Sequence, residues 1–140
     1  MNDYFSQLVE RALRLRMPAV AFQLDEDASE RAEGVSSQFL IYISQALRVR
    51  MILDRNQVLA DVASLTQPEG WLDLASLSIL AEARDVETRW DYSMTHSHRL
   101  ENQADAVIKH LALMYPFLLE ALDPMALPST WKEYFALPSA

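Results

Sequence analysis

The scarcity of glycine is the feature of this sequence that most restricts its fold. Only two of the 140 residues are glycine, whereas the turns of an all-β fold and the loops that hold phosphate usually need this residue. Alanine and leucine together number 39, and valine, isoleucine and threonine together number 17. Because the first pair favours helices and the second set favours strands, the composition predicts an all-α fold.

The size and apolar content fit a single domain with one ordinary core. The chain has 140 residues, of which 51% are apolar, and it contains no cysteine, which excludes disulfides, thiol nucleophiles and cysteine zinc sites. We predict a bundle of about five helices plus a short C-terminal helix. This helical domain spans residues 1–140, with a first helical half at 1–66, long helices at 71–123 and a docking tail at 124–140.

Apolar spacing places three helices in the first half. Residues 4–16 have helical spacing and end before Pro18. Residues 36–53 and 56–66 give the next two predicted helices. The run Phe39–Ile43 has the composition of a buried strand, but the helical spacing continues beyond it, and this continuation favours a helix.

Proline residues mark the predicted boundaries within the second half. A turn at residues 66–70 contains proline and glycine and separates the two halves. Pro116 predicts a kink or a restart in the last long helix, which Asp123 and Pro124 end. In the tail, Thr130 and Glu133 have the spacing of a capping box, which predicts the start of a short helix.

The charge balance restricts the partners. Twenty acidic residues against 12 basic ones give a net charge of −8, which opposes nucleic acid and anionic membranes and suits a basic protein partner. The longest apolar run, Leu111–Leu119, is too short to span a bilayer. The start of the chain has no apolar signal-peptide core, so we expect a cytoplasmic protein, and no cofactor is predicted.

Two surfaces are candidates for binding a partner. The first is an acidic segment that offers electrostatic contact to a basic protein. The second is an aromatic face of the tail, which docks either on the chain's own core or in a groove of a partner or second copy. The predicted binding residues are Asp25, Glu26, Asp27, Glu30 and Glu33 in the acidic segment and Trp131, Tyr134 and Phe135 in the tail.

An arginine and a histidine suggest an alternative. Arg89 and His96 have six residues between them, and this spacing resembles the signature of HEPN-type ribonucleases, which are small all-α proteins and usually dimers. The resemblance implies that Arg89 steadies the scissile phosphate and that His96 moves the 2′-hydroxyl proton.

A third interpretation is a metal site in the bundle. His98, Glu101 and Asp105 follow one another at i, i+3 and i+7, so they share one face of a helix, and their side chains are of the types that bind divalent metals. The competing interpretation is a solvated helix start, where acidic residues are favoured by the helix dipole.

Six arginines allow an anion-binding patch if the ends of the first two helices meet. The alternative is that they are ordinary cations near helix C-termini. These residues are Arg11, Arg14, Arg16, Arg48, Arg50 and Arg55.

The leading functional hypothesis is protein–protein interaction without catalysis. Nucleophile elbows, Walker loops and dinucleotide fingerprints are all missing from the sequence. We therefore expect a small acidic helper of a bacterial type, such as an immunity protein, an anti-activator, an adaptor or a structural component of an assembly. Self-association into a homo-oligomer is compatible with the same hypothesis.

Overall fold

A computed structural model describes residues 4–29, 37–86 and 99–138. These residues form four helices and one open five-stranded antiparallel sheet. The prediction of an all-α bundle of about five helices is therefore wrong, because the segments of two predicted helices, 36–53 and 56–66, form strands.

The elements are numbered here in chain order. They are α1 (Tyr4–Arg16), β1 (Gln23–Leu24), β2 (Ser37–Ile43), β3 (Leu47–Asp54), β4 (Gln57–Ser64), β5 (Leu72–Asp73), α2 (Leu74–Ala83), α3 (Leu100–Ala121) and α4 (Leu127–Phe135). The strand order in the sheet is β1-β2-β3-β4-β5, so each strand pairs with its neighbour in sequence.

The two predicted helices at 36–53 and 56–66 are the strands β2, β3 and β4. Along β2, Leu40 and Tyr42 are at most 1% exposed, while Phe39 and Ile43 project from the opposite face and are half-buried. Apolar residues thus stand on both faces of the strand. A strand of this kind has apolar residues at every spacing, including the helical one, so its period does not distinguish it from a buried helix.

The β2–β3 and β3–β4 turns are made without glycine. Between β3 and β4, Arg55 and Asn56 have φ values of 49° and 66°, the signs that a type I′ turn requires at both central positions, and asparagine tolerates this region well. Between β2 and β3, the hydroxyl oxygen of Ser44 accepts hydrogen bonds from the amides of Ala46 and Leu47, both at 3.2 Å. In these two turns, residues other than glycine therefore provide the backbone conformation and the hydrogen bonds for which the composition argument expected glycine.

Several local predictions are confirmed. The helix predicted at 4–16 is α1, and the predicted turn at 66–70 is closed by a hydrogen bond from the Gly70 amide to the Gln67 carbonyl at 2.9 Å. The last long helix ends at Ala121, just before the predicted stop. However, α3 continues through Pro116, so no new helix starts there.

One face of the sheet, which we call the inner face, forms the core with the helices. Its apolar side chains are buried together with those of α1, α2 and α3. The inner-face residues are Leu40, Tyr42, Leu47, Val49, Met51, Val58, Ala60, Val62 and Leu72. All four described helices contribute to this one core, which places the main helical layer on a single side of the sheet.

A buried glutamine side chain forms hydrogen bonds with backbone groups at the start of β4 and in the turn before it. Gln103 of α3 is 3% exposed, and its Oε1 accepts a hydrogen bond from the Val58 amide at 2.9 Å, while its Nε2 donates to the Asn56 carbonyl at 2.8 Å. These bonds satisfy one backbone group of β4 and one of the turn before it, both beyond the two residues that β5 pairs with.

The C-terminal helix α4 packs against its own chain beside β5. The Tyr134 hydroxyl accepts a hydrogen bond from the Asp73 amide at 3.0 Å. Thr130 is fully buried and donates its hydroxyl to the Ala121 carbonyl at 2.8 Å. The predicted capping box does not form, since α4 begins at Leu127 and Thr130 lies inside it.

Within the described ranges, no helix combines the length and the apolar character that crossing a bilayer requires.

Gly70 allows α4 to lie close to the turn before β5. A Cβ at this position would lie 2.8 Å from Cζ2 of Trp131. We predict that Gly70→Ala lowers the free energy of unfolding by about 1–3 kcal/mol, the usual cost of overpacking. Urea denaturation measures this. Because Trp131→Phe removes the clashing ring, the double variant should lose less than the sum of the two single losses, and a strictly additive result would contradict the contact.

His110 should make the stability depend on pH. The imidazole is 2% exposed between α3 and α2, with its Nε2 3.2 Å from the Ser78 hydroxyl oxygen. Burial lowers its pKa from 6.5 to about 4, so between these values the unfolded chain binds the extra proton. The stabilisation from neutral His110 is complete above about pH 6.5 and is lost as the pH falls toward 4.

The expected loss across that interval is at most about 3 kcal/mol. Urea denaturation between pH 4.5 and 7 measures it, and His110→Gln is the control because it cannot titrate. A wild-type pH slope that equals the slope of His110→Gln would show that His110 does not contribute.

Candidate functional site

The opposite face of the sheet, which we call the outer face, lies away from the helical core. Ile41 and Ala63 on this face are at most 5% exposed, yet they do not belong to the core cluster. The outer-face residues are Phe39, Ile41, Ile43, Arg48, Arg50, Ile52, Leu59, Asp61, Ala63 and Asp73. Within the described part of the chain, this is the sheet surface that the helices leave open.

Two arginines and two aromatic rings form a stack across the outer face. The guanidinium carbon of Arg50 lies 4.6 Å from the ring centre of Trp71 and 5.9 Å from that of Phe39. The guanidinium carbon of Arg48 lies 5.0 Å from the centre of the same indole. Such cation–π contacts contribute about 0.5–1 kcal/mol each where solvent reaches them, and they hold the arginine side chains flat against the sheet.

Arg50 is also paired with Asp61 on the neighbouring strand. Its Nη2 and Nε donate to Asp61 Oδ2 at 2.5 and 3.1 Å, and the two side chains are 27% and 15% exposed. Burial raises the pKa of Asp61, Arg50 opposes this effect, and the nearby charge of Asp73 adds to it. Arg50 therefore stabilises the charged form of the Asp61 carboxylate in this partly buried site.

Arg48 ties the turn before β5 to the sheet. Its side chain is 9% exposed, and its Nη1 donates to the Pro68 carbonyl at 2.5 Å. The carboxylate of Glu69 lies 3.6 Å away and is 85% exposed. Trp71, which follows this turn, is thereby held over the sheet.

Apolar side chains surround the stack. Phe39, Ile43 and Ile52 are half-buried, and Leu59 is 38% exposed. A rigid centre of tryptophan and arginine with apolar neighbours is the composition that protein–protein interfaces favour. The chemistry of the outer face therefore suits recognition of another macromolecule.

The predicted acidic segment lies at the β1 edge of the sheet. Asp25, Glu26 and Asp27 are in the described part, whereas Glu30 and Glu33 lie outside it. The Asp25 amide donates to the Ile41 carbonyl at 2.8 Å, and Asp25 Oδ1 accepts from the Ala28 amide at 3.2 Å. These bonds fix the start of the segment at this edge of the sheet.

The predicted tail residues lie at the other edge. Trp131 and Tyr134 pack against the core of their own chain, whereas Phe135 is 74% exposed. Because α4 lies beside β5 and the acidic segment beside β1, the sheet separates the two predicted binding surfaces. They therefore do not form one site.

The two alternative sites fall largely outside the described residues. Arg89, His96 and His98 are not among them. The all-α class implied by the ribonuclease resemblance is not the class of this fold. Asp105 pairs with Arg16 at 2.8 Å and Glu101 with Arg99 at 3.5 Å.

Across the described ranges, no group of three histidine, aspartate or glutamate side chains is placed to hold a metal ion.

The six arginines do not share one surface. Arg48 and Arg50 project from the outer face, and Arg55 lies in the β3–β4 turn. Arg16 is on α1, on the helical side, where it pairs with Asp105. Sequence reasoning assigned Arg48 and Arg50 to a helix end and missed Trp71; the alternating pattern of β3 was the signal that could have placed the arginines on one strand face.

No known protein family, curated protein or solved structure gives a significant match to this chain.

The Arg50–Asp61 pair should be energetically coupled. We predict that Arg50→Met and Asp61→Leu each lower the free energy of unfolding by about 1–3 kcal/mol, because each leaves a half-buried charge without its partner. The double variant should lose clearly less than the sum. Urea denaturation of the four proteins measures the coupling, and strict additivity would show that the pair contributes no mutual stabilisation.

Proposed function

We propose that this protein is a non-catalytic protein–protein interaction module that binds its partner through the outer face of the sheet. The observation that carries the proposal is the partial exposure of apolar side chains around the arginine–tryptophan stack, on the side opposite the helical core. Leu59 is the most exposed of them at 38%. Burial of this surface by a partner would remove its apolar area from water.

The stack supports the proposal because it is fixed before any partner arrives. Trp71 is held between two arginines, and Arg50 is in turn held by Asp61. Side chains that are already ordered lose little conformational entropy on binding, which favours affinity. The polar groups at the centre satisfy one another, and this arrangement suits a docking surface better than a reactive site.

The overall charge supports a partner with a basic surface. The net charge is −8, and Asp25, Glu26 and Asp27 lie at the β1 edge of the outer face. Acidic groups at the rim of an interface speed the approach of a basic protein more than they strengthen the final complex. The role of a small acidic helper and the expected cytoplasmic location belong to this same proposal.

Leu59→Asp tests the proposed surface. We expect this variant to weaken partner binding about tenfold or more, because a charge replaces an apolar contact at the interface. Ile79→Asp is the matched control, since Ile79 is 54% exposed on α2, away from the outer face. The partner is isolated with the tagged wild-type chain from its host, purified, and titrated by calorimetry against all three proteins.

Equal weakening by both substitutions, or unchanged affinity for Leu59→Asp, would contradict binding at the outer face. Circular dichroism of each variant establishes that the fold is retained.

A further inference from the structure

The solvent-facing side of α3 carries an apolar stripe. Leu113 and Leu119 are 45% and 43% exposed, and Pro116 between them is also exposed. Successive members are three residues apart, which keeps them on one side of the helix. Three neighbouring apolar side chains on a surface helix form a patch rather than scattered exposure, and such patches mark contact surfaces.

Charged residues stand at the two ends of this α3 stripe. Lys109 is exposed one turn before Leu113, and Glu120 is exposed near the other end of α3. Asp123 is exposed two residues beyond that end, and its Oδ2 accepts a hydrogen bond from the Met125 amide at 3.0 Å. The arrangement is symmetric about Pro116 in sequence. Leu113 and Leu119 are three residues on either side of it, and Lys109 and Asp123 are seven residues on either side. The charges at the two ends have opposite signs.

We propose that the α3 stripe binds the same stripe of a second copy of this chain, with the two helices antiparallel. In a two-fold symmetric pair of helices centred at Pro116, a residue before the centre faces the residue equally far after it. Leu113 then faces the second copy's Leu119. Lys109 then lies at the acidic end of the second copy's helix, near Glu120 on the helix and Asp123 just beyond it.

Charge complementarity indicates that a second copy of the chain binds the α3 stripe, and that its α3 runs antiparallel to the first. The antiparallel pair brings each Lys109 to an acidic end, and it does so twice because of the symmetry. A parallel pair would instead place lysine beside lysine and aspartate beside aspartate, which is unfavourable. A single surface that is complementary to itself is the property that a two-fold interface requires.

The position of the stripe leaves the outer face of the sheet accessible. The buried side of α3 belongs to the core on the inner face, so the α3 stripe points away from the sheet. Self-association through it and partner binding through the outer face therefore use opposite sides of the molecule. The inference goes beyond the proposed function and does not depend on it.

The first experiment measures the mass of the full chain by sedimentation equilibrium over a range of concentrations. We expect the mass to rise from 16.0 kDa toward twice that value. K109E should keep the protein at the single-chain mass, because it sets like charges opposite each other. K109E combined with D123K should restore the dimer. K132E is the matched control, since Lys132 is the other lysine of the chain and lies on α4.

A protein that stays at 16.0 kDa at every concentration would overturn the proposal. A dimer that K109E leaves intact would overturn it too, because the dimer would then use another surface. Thermal melts followed by circular dichroism establish that each variant is folded, so a loss of the dimer is not a loss of the fold.

The second experiment uses the absence of cysteine. Pro116→Cys places a single thiol at the proposed symmetry axis, where packed helices bring two Cα atoms within the roughly 4.4–6.8 Å that a disulfide spans. Mild oxidation should therefore give a covalent dimer in high yield. Leu15→Cys is the control, since Leu15 is 68% exposed on α1. Equal yields for the two variants would overturn the antiparallel pairing at Pro116.

Discussion

The packing of helices against the inner face of the sheet is the interaction on which the rest of this structure depends. Leu40, Val49 and Met51 on the sheet and Leu111 and Leu118 of α3 belong to one buried cluster, and all are at most 1% exposed. Burial of each such side chain stabilises the fold by about 1.5–3 kcal/mol. Because the described helices share this one core, the other side of the sheet and the solvent side of α3 are left as surfaces.

The outer face includes buried side chains although the described helices pack on the other face of the sheet. Arg48 pairs in register with Ala63, and Arg50 with Ile41. Ala63 and Ile41 are buried although they lie outside the helical core. The aliphatic stems of long arginine side chains cover apolar surface while their charged ends find partners. The network of Arg48, Arg50 and Trp71 forms a fixed aromatic and cationic surface on this face.

The binding residues that sequence reasoning selected were chosen by chemical type, and the fold separates them. The acidic segment beginning at Asp25 lies at the β1 edge, while Trp131 and Tyr134 lie beside β5 and are used in packing α4 on its own chain. Composition shows that aromatic residues will be buried somewhere. It does not show whether the partner is the same chain, because that depends on contacts such as the approach of Trp131 to Gly70.

The sequence by itself determined the features that depend on neighbouring residues: the bounds of α1, the turn at 66–70 and the end of α3 before Asp123 and Pro124. Only the tertiary structure decided that residues 37–43 are a strand, since apolar residues on both faces conceal the period of two. It also brought Arg50, Asp61 and Trp71 together, because strand register joins residues that are distant in the chain. Local patterns record nearest-neighbour preferences, whereas the sheet and its outer face arise from long-range pairing that no single segment encodes.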